Sequence, residues 1–584
     1  MLKRSRHFNH EIAPDEIFLD SRNSPEFDTQ QFEGRLERPI SRSVIFILGG
    51  FFFLALLVFL GRVFFLQVVE GESFKQKSEN NRLLEIPIFG DRGVIYDRNQ
   101  VELAWNKGSK EQNTFYFDER GAPRKCIHFQ GVRTTSKHCT QLYSRAYKNI
   151  PGLANIVGYV SHPRADESGN YWQKEIFGRD GIENSYNEFL KGENGSKLME
   201  INATGEVVSE GITLPPKNGQ NLTLSIDSRI QEKFYELIYL LADQIGFKSG
   251  AGIIMDVKNG EILAIVSYPG YDSNLLSDGG NTKAINALIS DNRKPFLNRA
   301  VSGLYTPGSI VKPYLAIGAL AEGIITPWKE ILSTGSISIQ NPYFPDKKSV
   351  FNDWKAHGLV DMRRAIAVSS DVYFYEIGGG YQDQPGLGIE KIEKYVRLFG
   401  LGAETGIDLP GEVDGVIPNP DWKAENFNGE KWFLGNTYHT AIGQYGFQVT
   451  PIQVARAVAA IANGGELLTP HLATSLSPTE RKIDINKNFF NIVREGMRLG
   501  VTEGTAKGLD MWGVNIAAKT GTAELGISKE LVNSWVTGFF PYENPRYAFA
   551  VVMERGPRGN TLGGLYVMRE LLDWMVENTP EYLK

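Results

Sequence analysis

The sequence predicts a membrane-anchored α+β protein with a single N-terminal transmembrane helix, an irregular β-rich module and a larger domain of mixed α and β. Three observations predict it. Val44 to Gly61 holds eighteen residues without a charge, about the minimum that crosses a hydrocarbon core of roughly 30 Å. Residues 81–224 are short extended runs broken by turn residues, with few long helical periods. Beyond Asn221 the pattern becomes amphipathic helices interleaved with apolar strands. The 584 residues exceed what one hydrophobic core supports, so separate domains are expected. With 42% hydrophobic and 22% charged residues, the chain is neither wholly disordered nor collagen-like nor a coiled coil. A formal net charge of −6 gives no bulk electrostatic reason to expect a nucleic-acid partner. Two cysteines, Cys126 and Cys139, are too few for a disulfide scaffold or an iron–sulfur protein.

Residues 1–42 carry seven Lys/Arg and eight Asp/Glu with few large apolar side chains, the composition of a short flexible tail. Residues 43–66 form the expected transmembrane helix. Aromatic and aliphatic side chains cover every face, whereas a helix packed on a core shows one apolar stripe. A cleaved leader does not fit, because 43 mostly polar residues precede the run and no small-residue cleavage site follows it. Arg35, Arg38 and Arg42 before the run nearly balance Arg62, Lys75 and Lys77 after it, so charge alone leaves the orientation open. Residues 67–224 make the β-rich module and residues 225–584 the mixed domain. The latter begins with a helix over 230–245, whose Ile230, Phe234, Ile238 and Leu241 share a face. Two apolar strands around Asn259-Gly260 follow, a hairpin signal, and a last strand-rich run covers Trp535–Met553.

The chemistry begins at Ser309-Ile310-Val311-Lys312, placed after Tyr305-Thr-Pro-Gly, a turn that releases the chain into a helix. Positions i and i+3 share a face, so the Lys312 amine can reach the Ser309 hydroxyl. A serine is a poor nucleophile until a base takes its proton, and a lysine can do so where burial and nearby cations favour its neutral form. Alone, Ser-x-x-Lys is a weak signal, more readily read as a helix cap with a solvated lysine. Ser369-Ser370-Asp371 adds a second hydroxyl and a carboxylate at a helix–loop junction, and Lys519-Thr520-Gly521-Thr522 adds a cation and hydroxyls on a strand. Such a strand can meet a substrate carboxylate, while its glycine lets an amide face a developing oxyanion.

All three signatures in this order resemble the penicillin-recognising serine enzymes. Arg92-Gly-Val-Ile-Tyr-Asp-Arg-Asn, Gly178-Arg-Asp-Gly-Ile-Glu-Asn-Ser-Tyr, Tyr305-Thr-Pro-Gly-Ser-Ile-Val-Lys-Pro, Ala441-Ile-Gly-Gln and Val449-Thr-Pro-Ile-Gln-Val-Ala extend the likeness over nearly the whole chain. They resemble the landmarks of class B penicillin-binding proteins, which are monofunctional peptidoglycan transpeptidases. Phe351-Asn-Asp-Trp-Lys-Ala-His-Gly and Ser369-Ser-Asp-Val-Tyr-Phe-Tyr are most similar to the elongation enzymes of that class, since the division paralogue usually has Asn where this chain has Asp371.

The resemblance implies a pedestal (dimerisation-type) domain over 67–224 and a serine β-lactamase-like transpeptidase domain over 225–584. It implies an inner-membrane protein with its N-terminus in the cytoplasm and its catalytic domain outside. Ser309 would attack the penultimate D-Ala of a stem pentapeptide, or a β-lactam. Lys312 would be the base, Ser369 would relay a proton to the departing D-Ala, and Asp371 would position that network. Lys519, Thr520 and Thr522 would hold the terminal carboxylate, with Gly521 allowing close approach. The amides of Ser309 and Thr522 would form the oxyanion hole. No cofactor is implied. The expected partners are a SEDS-family glycosyltransferase and other membrane proteins of the elongation complex.

Three departures stand out. Asp353 and His357 look like two ligands of a structural zinc found in some relatives, but a third, cysteine, is replaced by Ser370. A hydroxyl is a poor substitute for a thiolate, so no metal is expected and His357 reads as a hydrogen-bonding residue. The usual Gly-Gln-Gly is altered to Gly443-Gln444-Tyr445-Gly446. Cys126 and Cys139 sit in an insertion where a disulfide, free thiols or a small metal site remain open. Rival functions are less well supported. A β-lactamase or carboxypeptidase is usually shorter and lacks a pedestal, and a penicillin sensor needs several membrane helices and a cytoplasmic effector. A bifunctional synthase needs a glycosyltransferase domain for which there is no room, and a division-type enzyme is the nearest alternative.

Overall fold

The computed structural model describes residues 42–75, 83–107, 114–117, 123–125, 140–141, 144–162, 164–165, 171–173, 176–201, 207–341, 343–526 and 529–584. They fall into two units, divided between Arg82 and Leu83. The pairing of Cys126 with Cys139 and nearly all of the tail lie outside the described residues. In the first unit, helix α1 (Arg42–Phe64) passes into one π-helical turn, Phe65–Val69. Arg42–Val69 is the one helix among the described residues long and apolar enough to cross a membrane. Its 28 residues reach about 42 Å at about 1.5 Å per residue, somewhat beyond the 43–66 read from composition, because Gln67 and two valines continue the helical backbone.

The second unit opens with small sheets. Strands β1 (Leu83–Ile88), β2 (Gly195–Ile201) and β3 (Val207–Leu214) form an antiparallel ribbon in the order β1-β2-β3. A second sheet joins Leu222–Thr223, Ile95–Tyr96, Glu102–Lys107 and Ser144–Tyr147. A charged cluster lies inside this region: Glu183, fully buried, accepts from Arg92 Nε at 2.6 Å and Arg145 Nε at 2.7 Å. Burial alone would raise the Glu183 carboxyl, but the charges and hydrogen bonds of both arginines hold it below the usual carboxylate range. A depressed carboxyl contributes stability above its unfolded pKa of about 4.3 and loses it as pH falls through the folded value. Glu183→Gln leaves two buried guanidinium groups without a counter-charge, and is expected to cost about 3–5 kcal/mol at neutral pH. Thermal melting of the full chain in detergent checks this, and a melting point within a degree of the parent would contradict it.

The larger part is built on a five-stranded antiparallel sheet. It comprises β4 (Ser249–Asp256), β5 (Ile262–Tyr268), β6 (Ala517–Leu525), β7 (Leu531–Phe540) and β8 (Tyr547–Pro557), in the order β5-β4-β8-β7-β6. Every residue of β4 is buried, which explains its unbroken apolar run: both faces of the sheet are covered. Successive side chains point to opposite faces, so Ile253 and Trp535 join one core while Ile254 and Val536 join the other. Helix α2 (Ser228–Ile245) and the C-terminal helix Gly564–Asn578 supply the second core. Asp227 caps α2 by accepting from Arg229 N, and Gly246 ends it in the left-handed conformation. The 451–462 helix and its neighbours fill the first core. Strand β6 is left on the outer edge, beside the residues that carry the chemistry.

Candidate active site

Ser309 lies on a 3₁₀ turn, Gly308–Val311, that continues directly into α3 (Lys312–Ala321). Ser309 is half-buried and Lys312 fully buried. The Lys312 ammonium has three N–H donors, and it donates to Asp371 Oδ1 at 2.5 Å, the Ser369 carbonyl at 2.9 Å and Ser369 Oγ at 3.3 Å. Among the described residues no hydrogen bond joins Lys312 to Ser309. The helical spacing puts the two side by side, but a buried ammonium turns toward the groups that satisfy it, and these come from a distant segment.

That segment is the junction of α4 (Met362–Val368) and α5 (Asp371–Gly379). Ser369 ends α4 with φ 58°, in the left-handed region, a conformation that costs a non-glycine residue of order 1 kcal/mol. The turn aims Ser369 Oγ between two amines, since Lys519 Nζ on β6 also donates to it, at 2.8 Å, and to the Thr520 carbonyl at 2.8 Å. Lys519 is buried. Its proton affinity falls well below that of a free lysine, first because burial disfavours the ammonium and then because the Lys312 charge repels it, with Asp371 opposing.

The remaining strand residues are placed differently from one another. Thr520 Oγ1 donates to Thr505 Oγ1 at 2.6 Å, while Thr522 is exposed on the edge strand. A Cβ at Gly521 would lie 2.9 Å from the Pro307 carbonyl oxygen and 2.9 Å from Ile310 Cγ2. Only glycine lets β6 pass so close to the serine turn. On the opposite side, Gly308 N donates to the Gly443 carbonyl at 3.0 Å, and a Cβ on Gly443, at φ 74°, would come within 2.2 Å of the Gly308 oxygen. Tyr445, in place of the usual glycine, is also left-handed at φ 65° and lies among Trp422, Phe427 and Trp432.

Two further residues support the junction from behind. Asp353 Oδ2 accepts from Ser370 Oγ at 2.8 Å, Val372 N at 3.0 Å and Ser333 Oγ at 3.2 Å, and its Oδ1 accepts from Trp354 N at 2.8 Å. This carboxylate therefore fixes the Ser369–Asp371 junction from behind. Thr505, whose N donates to the Ala367 carbonyl at 3.1 Å, ties α4 to β6. His357 N donates to the Ser333 carbonyl at 3.0 Å, and its Nε2 faces Asp353 Oδ1 at 3.4 Å. Burial lowers its pKa, against the pull of Asp353. The donor set does not fit a zinc ion, because both Asp353 oxygens are engaged by four donors and the Ser370 hydroxyl already donates to that carboxylate.

The family model "Penicillin binding protein transpeptidase domain" matches residues 250–569, more than half of the chain. The chain belongs to the penicillin-binding protein transpeptidases. A second model, the penicillin-binding protein dimerisation domain, matches residues 124–224. The peptidoglycan D,D-transpeptidase MrdA of Acinetobacter baumannii is 30% identical over 603 residues, covering 91% of this chain and 87% of the relative. Among solved structures, the penicillin-binding protein PBP2 of Helicobacter pylori in complex with MreC superposes with a TM-score of 0.72 at 29% identity, covering 85% of this chain and all of that one. A chain from a peptidoglycan synthase complex that coordinates polymerization and crosslinking does so at 0.71 and 28% identity, covering 93% of this chain and 99% of the other. This penicillin-binding transpeptidase thus carries its Ser-x-x-Lys, Ser-x-Asp and Lys-Thr-Gly signatures in a single cluster around Ser369.

Proposed function

We propose that the protein is an elongation-type peptidoglycan D,D-transpeptidase working through a serine acyl-enzyme. The observation that carries this reading is Ser369 Oγ held between Lys312 and Lys519, beside a half-buried Ser309. Ser309 Oγ attacks the carbonyl of the penultimate D-Ala, forming an ester as the peptide bond to the terminal D-Ala breaks. In its free-amine form Lys312 takes the serine proton, and Ser369 passes that proton to the departing amine. Asp371 holds the Lys312 amine in place. Lys519, Thr520 and Thr522 provide the cationic, hydroxyl-bearing edge for the terminal carboxylate, and the amides of Ser309 and Thr522 face the oxyanion. An amine from a second stem peptide then attacks the ester, forming the cross-link and releasing Ser309. A β-lactam reacts at the same serine and stays attached. Mass spectrometry of the intact protein after penicillin treatment should show one adduct, mapped to Ser309; an unmodified protein would overturn the reading.

The same reading makes residues 67–224 a pedestal and 225–584 the catalytic domain, anchored by the membrane helix over 43–66 with residues 1–42 in the cytoplasm. It also calls for a separate glycan polymerase of the SEDS type and other membrane partners of the elongation complex. The relatives solved with MreC and within a synthase complex support this. Protease added outside spheroplasts should degrade everything beyond the membrane helix, and protection of the large fragment would reverse the orientation.

A further inference from the structure

We propose that an arch of aromatic rings beside Ser309 binds the N-acetylhexosamine backbone of the glycan strand whose stem peptide enters the site; this rests on the transpeptidase reading. One foot of the arch is the hairpin of strands Ser336–Gln340 and Lys348–Asn352. Its tip carries Tyr343 and Phe344, which are 61% and 59% exposed and are set by a turn in which Asn341 Oδ1 accepts from both backbone N–H groups, at 2.9 and 3.0 Å. The other foot is the loop of residues 427–433. Tyr343 meets Phe433 edge-on at 5.1 Å, and Phe427 lies parallel to Tyr445, 10° apart in plane, with Trp432 edge-on to Tyr445 at 5.7 Å.

These rings are held from below rather than packed away. Trp432 Nε1 donates to Thr437 Oγ1 at 2.8 Å. The buried Lys423 donates to the Lys431 carbonyl at 2.6 Å and Asn436 Oδ1 at 3.1 Å, and lies 4.9 Å from the centre of the Phe433 ring. Large apolar faces fixed in solvent on a folded domain mark a binding surface. Both feet are tied to the reacting groups. Tyr445 follows two residues after Gly443, whose carbonyl accepts from Gly308 N, and the hairpin ends one residue before Asp353, which holds Ser370. Rings presented flat and edge-on suit the C–H faces of pyranose rings. Lys347, over Phe344 at 5.3 Å, and Lys348 outweigh Asp346 at the tip, complementing the carboxylates of stem peptides.

The test compares release of D-Ala from pentapeptides on uncross-linked glycan strands with release from a sugar-free pentapeptide, using the full chain in detergent. In the double variant Tyr343→Ala/Phe344→Ala the glycan-to-free ratio of kcat/KM should fall about tenfold or more, as expected for losing two stacking faces. Tyr343→Leu/Phe344→Leu, which keeps apolar bulk but no ring, should fall with it, and melting temperature reports that both variants fold. An unchanged ratio overturns the proposal, and so does an equal loss on both substrates. An unchanged ratio with loss of a copurifying membrane partner would overturn it too, giving the arch to a protein. A wild type that takes penicillin but shows no preference for glycan-borne donor sinks the arch alone, whereas one that takes neither penicillin nor pentapeptide sinks the transpeptidase reading.

Discussion

Ser309→Ala is expected to abolish covalent labelling by a fluorescent penicillin while leaving the melting temperature of the protein nearly unchanged. The loss should approach the roughly 10⁶-fold fall seen when a nucleophile is removed from a serine enzyme. Stability should hardly respond, because the turn is kept by backbone and apolar contacts: Ile310 and Val311 are buried in one core, and Gly308 N is bonded to Gly443. A single hydroxyl deleted from a half-buried side chain leaves no buried partner unpaired, so the change should stay within about 0.5 kcal/mol. Ser369→Ala is the informative companion. It removes the hydroxyl shared by Lys312 and Lys519 but not the nucleophile, so labelling should slow yet persist. Labelling that survives in Ser309→Ala and vanishes in Ser369→Ala would exchange the two roles.

The residues of this cluster were legible as types and spacings, but their directions were not. Ser309, Lys312, Ser369, Asp371 and Lys519 each sit in a short motif, and the hairpin around Asn259-Gly260, the α2 helix and the apolar α1 follow from local periodicity. What spacing cannot convey is a contact made across the fold. Lys312 lies one helical turn from Ser309, yet its donors are claimed by Ser369 and Asp371, nearly sixty residues on. By sequence Asp353 resembles a metal ligand, whereas its work is to accept four hydrogen bonds around Ser370. Thr505 has no motif at all and became visible only when the 487–502 helix delivered it to Thr520. The aromatic arch was likewise hidden, because exposed rings and core rings look alike in a sequence.

Lys312→Met should slow acylation by about 10²- to 10⁴-fold, the range for removing a general base, and should also move the pH profile in a defined direction. Lys519 is buried and repelled by the Lys312 charge, so its ammonium is unstable relative to a free lysine. Its electrostatic role needs the protonated form, so activity is lost as pH rises through the lowered Lys519 pKa. Removing the Lys312 charge takes away one cause of that lowering, while Asp371 still favours the ammonium. The alkaline limit of the residual acylation should therefore shift to higher pH. Lys312→Arg separates base from charge: a guanidinium cannot give up its proton in a protein, so acylation should be comparably slow while the alkaline limit stays near that of the parent. An alkaline limit that stays in place in Lys312→Met would overturn the electrostatic coupling of the two amines. Near-normal acylation in Lys312→Met would transfer the base to Lys519, the other amine on Ser369 Oγ.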